Sequence, residues 1–268
     1  MKKQILTLAF VASAGMASAA PLKSADITTV VNDVKVSEKS SSAKTANTGQ
    51  KLTGSSTVLT GRNSRAELTF TDKTVTRIGA NSIFRFGESS RDLAIDKGSF
   101  LLQVPKNAGG AKIRTATITA AITGTTTMIE SSPGQWFKFI VIEGKAKLIH
   151  ENGNEIFVLP GEMIVMDPNA ANFPRKIKIN LKKLVESSAL MDDGTFGKLD
   201  GPAIDLINQA VNDQMNERRG GELLPSGVIV RGPDAPRGIP DGGGGAGGKT
   251  VVSEIGGEYD PMSSSFNP

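Results

Sequence analysis

Short runs of alternating apolar and polar residues fill the middle of the chain, from Thr57 to Asp167. In the segment SRAELTF, Ala66, Leu68 and Phe70 fall on one face and polar residues fall on the other. An alternation of period two is typical of a β-strand with one buried face, because successive side chains point to opposite sides. FLLQV, FKFIVIEG and KAKLIH repeat the pattern. This region is therefore predicted to be all-β.

Glycines separate these predicted strands at intervals of 17 to 26 residues. They are Gly61, Gly79, Gly98, Gly124, Gly144 and Gly161. The segments LAIDKGSFLL and FIVIEGKAKL align about their glycines, which give the backbone the freedom that a tight turn requires. Short strands with recurring turns predict a two-sheet sandwich or roll of short antiparallel strands. The uneven intervals disfavour a strict solenoid.

The first 19 residues have the three parts of a secretory signal peptide. Lys2 and Lys3 are basic, the run from Ile5 to Val11 is apolar, and Ala17-Ser18-Ala19 is a small-x-small cleavage site. We therefore expect an exported protein, periplasmic or secreted, cleaved after Ala19. An uncleaved anchor is disfavoured because the apolar run is shorter than the ~20 residues that span a bilayer. No later segment predicts a transmembrane span.

The regions on either side of the middle have different compositions. Residues 20–56 are predicted to contain one strand, from Ile27 to Val36, and a Ser/Thr/Lys-rich loop over residues 37–57. Residues 220–268 contain 13 glycines and 6 prolines. Such a segment buries little apolar surface, so a disordered tail is predicted.

Residues 172–219 show helical spacing and predict two helices. The segment NLKKLVESSALM has Asn180 as an N-cap. The segment GPAIDLINQAVNDQMNERRGG has Pro202 in its first turn and Gly220 after its end. Its apolar stripe consists of Ile204, Ile207, Val211 and Met215. We expect both helices to pack on the β domain or on a partner.

The composition excludes several kinds of site. The chain has no cysteine, so a thiol nucleophile, a thiolate metal site and an iron–sulfur cluster are excluded. His150 is the only histidine, which excludes sites that need two imidazoles. The net charge of +4 falls to about +2 without the two lysines of the first 19 residues, and nucleic-acid binding is not indicated.

The segment AAITGTTTMIE around Gly124 raises the question of a phosphate loop or an activated hydroxyl. A phosphate loop requires a second glycine and a lysine ahead of a helix, and a nucleophile elbow requires Gly-x-Ser-x-Gly. The sequence has neither. A threonine ladder for ice binding would need evenly spaced Thr-x-Thr pairs. The favoured interpretation is two Thr/Ile-rich strands joined by a bend at Gly124.

Five segments in order resemble the FecR domain family. They are TGRNSRAELTFTDKTVTRIGANSIFRF, LAIDKGSFLLQVPK, IRTATITAAITGTTTMIE, KFIVIEGKAKL and FVLPGEMIVM. The resemblance covers roughly residues 57–167, and the predicted domain extends over residues 57–171. It implies an all-β extracytoplasmic domain.

Typical FecR proteins are anti-sigma regulators with a cytoplasmic sigma-binding region and one membrane span. Here a signal-peptide pattern and one predicted strand precede the domain, so we expect a lone exported domain without the anti-sigma region. Sigma-factor regulation is therefore not expected of this chain. The resemblance instead implies a binding or scaffold module of the cell envelope.

Several charged and aromatic residues have both a structural and a functional interpretation. Cross-strand ion pairs with Glu67 and Glu88 are favoured over an anion-binding face for three arginines, Arg65, Arg77 and Arg85. His150 is interpreted as a hydrogen-bonded residue at a strand end. Trp136 is expected to pack at the core or its rim, with a sugar- or peptide-binding platform as the alternative.

The remaining polar features point to no catalytic site. A basic segment, interpreted as a solvated helix lead-in or a surface for anionic polymers, contains Arg175, Lys176, Lys178, Lys182 and Lys183. The carboxylate pairs Asp192-Asp193 and Glu162/Asp167 lack a predicted cleft. LPGEMIVMDP is similar to a cupin segment, but a metal-binding cupin needs several histidines.

These observations predict a non-enzymatic protein with no catalytic, cofactor-binding or metal site and no cofactor. The preferred function is protein–protein recognition in the cell envelope, for sensing or scaffolding, through a sheet face or an open strand edge. The alternative is a module that binds envelope glycan or an anionic polymer through Trp136 and the basic segment. A hydrolase or lyase is disfavoured.

Overall fold

The computed structural model describes residues 22–38, 41–87, 91–191 and 194–216, and the backbone of two short strands in the tail. The predicted signal peptide lies outside the described residues. So does the predicted disordered tail, apart from Val228–Val230 and Thr250–Val252, which pair with each other as antiparallel strands. Among the described helices, none has the length and hydrophobicity needed to span a membrane.

In the described part of the chain before residue 217, seventeen strands form one continuous hydrogen-bonded system. Numbered along the chain, they are β1 (Ser24–Val31), β2 (Val34–Glu38), β3 (Lys44–Thr45), β4 (Lys51–Thr53), β5 (Ser56–Thr60), β6 (Arg65–Phe70), β7 (Val75–Ile78), β8 (Ile83–Phe86), β9 (Asp92–Val104), β10 (Ala111–Arg114), β11 (Ile118–Ile122), β12 (Thr125–Ser132), β13 (Trp136–Glu143), β14 (Ala146–His150), β15 (Glu155–Val158), β16 (Glu162–Met166) and β17 (Ile177–Lys178).

The strands form two layers that face each other. Sheet A has the order β4-β1-β6-β7-β9-β12-β13-β16-β17. Sheet B has the order β3-β2-β5-β8-β9-β10-β11-β14-β15. The chain passes repeatedly between the layers and advances along both of them. This arrangement confirms the predicted all-β, two-sheet roll. The strands are not all antiparallel as predicted, because β10 pairs with β9 in parallel.

Strand β9 belongs to both sheets because it bends in its middle. Its first half pairs with β8 and β10 in sheet B, and its second half pairs with β7 and β12 in sheet A. The bend falls at Gly98, which has a φ of +109°. A Cβ at this position would lie 2.6 Å from the Cα of Ser82. Gly98 therefore permits both the bend and the close approach of the neighbouring strand.

The main core lies between the layers and consists of the alternating residues that the sequence placed on one face. Phe70 and Phe100 of sheet A are both nearly inaccessible to solvent. Phe70 contacts Phe86 of sheet B edge-to-face at 5.1 Å, and Phe100 contacts Phe84 at 6.0 Å. These aromatic pairs hold the two layers together.

Two buried threonines in this core, Thr125 and Thr127, differ in whether their hydroxyl groups form hydrogen bonds. Among the described residues, the buried Thr127 hydroxyl has no hydrogen-bond partner. The equally buried Thr125 hydroxyl donates to the carbonyls of Thr123 and Lys145, each at 3.0 Å. We expect Thr127→Val to stabilise the fold by about 1 kcal/mol, because an unsatisfied hydroxyl is removed without a change of shape.

The matched variant Thr125→Val is expected to destabilise the fold by about 1–3 kcal/mol. It removes the hydroxyl hydrogen that the carbonyls of Thr123 and Lys145 share, and leaves both carbonyls without this donor. Chemical denaturation of both variants measures the two effects. A loss of stability in Thr127→Val as large as that in Thr125→Val would contradict the assignment of the unsatisfied hydroxyl.

The prediction of a loop over residues 37–57 is wrong. This region contains β3 and β4, and β2 pairs with β5 while β1 pairs with β6. The predicted single strand is two strands, with Asn32 between them at a φ of +56°. Asparagine tolerates this left-handed conformation better than most residues. The sheets therefore begin with β1, and the predicted domain start at Thr57 cuts through both of them.

Two helices follow the sheets, as predicted. In α1 (Leu181–Ser187), the Asn180 side chain caps the helix by accepting from the backbone N–H of Lys183 at 3.1 Å. In α2 (Gly201–Asn216), Pro202 lies in the first turn, and Asp200 accepts from the N–H of Ala203 at 3.1 Å. The predicted stop at Gly220 lies outside the described residues.

One side chain fixes α2 against the start of α1. The Gln214 amide accepts from the N–H of Leu181 at 2.9 Å and donates to the carbonyl of Ile179 at 2.8 Å. It also lies against Gly161, where a Cβ would approach the amide nitrogen to 2.2 Å. The two helices and the β16 turn are thus held as one packed unit.

Candidate functional site

The outer face of sheet A is covered by the chain's own C-terminal helices. Apolar side chains of β9, β12, β13 and β16 on this face form a second buried cluster with α1, α2 and the segment between them. Its sheet residues are Leu101, Met128, Ile140, Ile142, Met163 and Val165. The prediction that the helices pack on the β domain is confirmed, and this face is largely closed to a partner.

Arg77 joins sheet A to the segment between α1 and α2, which we call the covering segment. Its guanidinium is completely buried and contacts the Glu67 carboxylate through Nε at 2.7 Å. The remaining donors reach backbone carbonyls of the covering segment, and the ring of Phe196 lies 4.8 Å from the guanidinium carbon. These carbonyls belong to Leu190, Met191 and Gly197. Arg77 is therefore a structural clamp rather than part of an anion-binding face.

A second buried cation lies on the same face. Lys138 is almost fully buried and forms an ion pair with Glu130 at 2.8 Å. Its ammonium also lies 5.6 Å from the ring of Trp136. Trp136 is half-buried at the start of β13 and is in neither buried cluster, so its expected packing at the core or its rim stays a prediction.

The outer face of sheet B carries a group of charges around Ala94. Asp92, Ala94 and Asp96 alternate along β9 and share this face. Arg85 on β8 and Arg114 on β10 pair directly across from Ala94 on either side. Arg85 contacts Asp96 at 2.6 Å, and Arg114 contacts Asp92 at 2.9 Å. We call these five residues the Ala94 charge group.

The Ala94 charge group is accessible and contributes little to folding. Both arginine side chains are about half exposed, and the two aspartates are 33% and 41% exposed. Exposed ion pairs are typically worth about 0–1 kcal/mol, because water already solvates each charge. The group therefore presents two cations and two anions on neighbouring strands to any molecule that contacts this face.

The structure separates the three arginines that the sequence singled out. Arg65 and Arg77 lie on sheet A, whereas Arg85 lies on the outer face of sheet B. The predicted cross-strand pair of Arg77 with Glu67 is confirmed, since these residues are direct neighbours in the β6–β7 ladder. The other predicted partner, Glu88, lies outside the described residues.

The Gly124 segment is a bend between the layers, as predicted. β11 ends at Ile122 in sheet B and β12 begins at Thr125 in sheet A, with Gly124 between them at a φ of +57°. Thr125 is engaged by Thr123 and Lys145, as described above. This segment is therefore a corner of the roll.

His150 lies at the end of β14 and is buried. Its Nδ1 accepts from the N–H of Asn152 at 3.2 Å, and its ring contacts Phe173 edge-to-face. Within the described residues, its Nε2 has no partner, and no group of three potential metal ligands is found. The expected role as a hydrogen-bonded strand-end residue is confirmed.

The carboxylate pairs do not form an acid–base site in the described residues. Glu162 is engaged by Lys176 at 2.7 Å and by the N–H of Leu159. Asp167 accepts from the backbone N–H of Asn169 in its own turn. The pair Asp192-Asp193 lies outside the described residues.

One carboxyl has a perturbed acidity. Burial raises the pKa of Glu143, and the Lys106 ammonium, 3.7 Å away, partly offsets this effect. A carboxyl with a raised pKa in the folded state favours folding at acidic pH, and this contribution is lost as pH rises through the folded pKa. The pairing with Lys106 makes this a structural ion pair beside the Gly124 corner.

Part of the basic segment of the predicted polymer-binding site lies away from Trp136. Trp136 precedes Phe137, which pairs with Met166 at one end of β16, and Lys178 pairs with Glu162 at the other end. Two further residues of the basic segment, Lys182 and Lys183, line a groove of about 260 Å³ between the helices, together with Asn180, Glu186, Gln214 and Met215.

Sequence reasoning missed the Ala94 charge group, although the sequence held a signal for it. In RDLAIDK the residues of period two are Asp92, Ala94 and Asp96, opposite the apolar Leu93 and Ile95. Two carboxylates flanking alanine on the solvent face of a central strand favour cationic residues on the neighbouring strands. The sequence does not show which strands supply them.

Comparisons with known proteins identify two similar crystal structures and one matching family. Two crystal structures, each described as a "putative anti-sigma factor" from Parabacteroides distasonis ATCC 8503, are similar to the chain with a TM-score of 0.41. Their identities are 12% and 14%, and each comparison covers 66% of this chain and 94% of the other. No curated protein matches. The family described as FecR protein matches residues 56–147, from β5 into β14, and the resemblance to this family is confirmed over that region.

Proposed function

We propose that this chain is a non-enzymatic FecR-domain protein of the cell envelope that recognises a protein partner in sensing or scaffolding. The FecR match supports a regulatory or sensing role without catalysis. The signal-peptide pattern of the first 19 residues supports an extracytoplasmic location. The partner docks on the outer face of sheet B.

The Ala94 charge group is the observation that carries this proposal. The outer face of sheet A is occupied by α1 and α2, whereas Arg85 and Arg114 stand half exposed on sheet B. Charges that add little to stability contribute instead to the orientation and selection of a partner. The small Ala94 side chain between them leaves room for a partner side chain.

A protein fits this face better than an anionic polymer. The charge group contains two arginines and two aspartates, so it has no net charge to attract a polyanion. A folded partner with its own alternating charges can match all four positions. The separation of Trp136 from the basic residues near Lys178 adds no support for a polymer site.

Site-specific photo-cross-linking in living cells tests the proposal. A photoreactive amino acid at Ala94 is expected to capture an envelope protein, giving a protease-sensitive adduct. The same probe at Asn208, an exposed position on α2, provides the matched control for sheet A. Arg85→Ala combined with Arg114→Ala is expected to lower the capture at Ala94 at least about tenfold, since two rim charges are lost.

Capture from Asn208 with none from Ala94 would place the partner on the helices and overturn the proposed surface. A protease-resistant, polymer-bound adduct at Ala94 would favour the polymer-binding alternative. If the double arginine variant captured as much partner at Ala94 as the parent chain, the charge group would have no role in recognition.

A further inference from the structure

The four edge strands of the two sheets are not protected alike. β3, β4 and β17 have three residues or fewer, and each has an exposed lysine, Lys44, Lys51 or Lys178. Short edges with lysine resist pairing with another chain. The fourth edge, β15, has four residues and no lysine, and it pairs only with β14 among the described strands.

The unprotected edge also carries exposed apolar surface. The part of the chain with described side chains has three large exposed hydrophobic residues, Phe157, Leu159 and Met215. Phe157 lies on β15 and is 49% exposed, and Leu159 follows the strand and is 44% exposed. Apolar side chains at an unpaired strand mark a surface for strand pairing.

The outward backbone groups of β15 can be assigned from its pairing with β14. The N–H of His150 donates to the carbonyl of Asn154 at 2.8 Å, so this pair faces inward across the hairpin. Hydrogen-bonded and non-hydrogen-bonded pairs alternate in an antiparallel ladder. Ile156 and Val158 therefore also bond to β14, and the backbone groups of Glu155 and Phe157 point away from the sheet.

We propose that β15 pairs with β15 of a second copy of this chain about a two-fold axis at Ile156. In this register, Glu155 of one copy lies opposite Phe157 of the other, and the two pairs exchange four backbone hydrogen bonds. Such a self-complementary strand pairing is an isologous interface. It joins two copies of sheet B into one continuous sheet.

Charge complementarity selects this register over its neighbours. The ammonium of Lys145 lies 3.8 Å from the centroid of the Phe157 ring. Glu155 pairs with Lys147 of its own chain at 2.9 Å. Opposite Phe157 of the second copy, it gains Lys145 of that copy as a second cation. A shift that places Glu155 against Glu155 brings like charges together. A shift in the other direction uses the N–H of Leu159, which already bonds to Glu162 at 2.8 Å.

Sedimentation equilibrium of the purified chain, without any partner, tests this inference independently of the proposed function. We expect the average mass to rise from one chain towards two chains as the concentration increases into the range of roughly 0.1–1 mM, as for small interfaces. Phe157→Pro removes an outward N–H without touching the β14 ladder, and is expected to weaken dimerisation at least about tenfold.

A charge exchange tests the register without a change of backbone. Glu155→Lys is expected to weaken the dimer. Its combination with Lys145→Glu and Lys147→Glu, which keeps opposite charges at positions 155 and 147 within each chain, is expected to restore the dimer. A chain that stays monomeric at ~1 mM overturns the inference and leaves the edge to another occupant. Equal association of the parent and Phe157→Pro, both folded by circular dichroism, overturns it as well. Failure of the exchange to restore the dimer overturns the register.

Discussion

Arg77→Ala is expected to destabilise the fold by about 3–5 kcal/mol, because it breaks a buried ion pair from one side. The Glu67 side chain, only 12% exposed, loses its cation. Three carbonyls of the covering segment lose their donor, those of Leu190, Met191 and Gly197. Each buried acceptor that is left unsatisfied costs about 1–3 kcal/mol. Chemical denaturation measures the change in the free energy of unfolding.

The position of Arg77 adds a second expected result. Its partners in the covering segment lie 113 to 120 residues away in the sequence. Loss of these contacts weakens the attachment of the helices to sheet A. Limited trypsin digestion is therefore expected to cut Arg77→Ala faster at Lys198, an exposed residue between α1 and α2.

Arg85→Ala is the matched control on the other sheet. The Arg85 side chain is 53% exposed and pairs with Asp96 in water, so its loss is expected to cost at most about 1 kcal/mol. Digestion at Lys198 is expected to stay unchanged. If both arginine variants lost the same stability, the guanidinium of Arg77 would not be the clamp that the geometry describes.

The all-β architecture could be predicted from the sequence because the period-two pattern within each strand identifies the core residues. Ala66, Leu68 and Phe70 were placed on one face by period two alone, and all three are buried between the layers. Two N-terminal strands, β3 and β4, were missed for a physical reason. β3 and β4 are short edge strands, and exposed edges carry the lysines and threonines that also typify loops.

The covered face of sheet A had a partial signal in the sequence. In FKFIVIE and EMIVM the apolar residues do not alternate strictly, which is typical of strands buried on both faces. Ile140 and Met163 are indeed the outward residues that α1 and α2 cover. The sequence does not show which element covers them, because this contact joins residues far apart along the chain.

The two surfaces proposed for recognition and dimerisation were the least predictable part of the molecule. The Ala94 charge group depends on β8 and β10 flanking β9, and that pairing includes the parallel β9–β10 ladder. No local pattern specifies a parallel neighbour. The special character of β15 likewise depends on its position at the end of sheet B, which only the topology determines.

Gly144→Ala is expected to destabilise the fold by roughly 2–5 kcal/mol, because two separate costs add at this corner. Gly144 has a φ of +86°, a conformation that costs an L-residue about 1–2 kcal/mol. A Cβ would also lie 2.4 Å from the carbonyl oxygen of Gly124 and 2.9 Å from the Cα of Thr125. Overlap with backbone atoms adds about 1–3 kcal/mol, since backbone yields less than a side chain.

Gly134→Ala separates the two costs. Gly134 has a similar φ of +69°, but nothing lies within 4 Å of a Cβ at this position. Its variant is expected to lose only the conformational cost of about 1–2 kcal/mol. The difference between the two variants in chemical denaturation measures the close packing of the Gly124 and Gly144 corners. Equal losses would mean that these glycines recur for their backbone conformation alone, and that the corners are not tightly packed against each other.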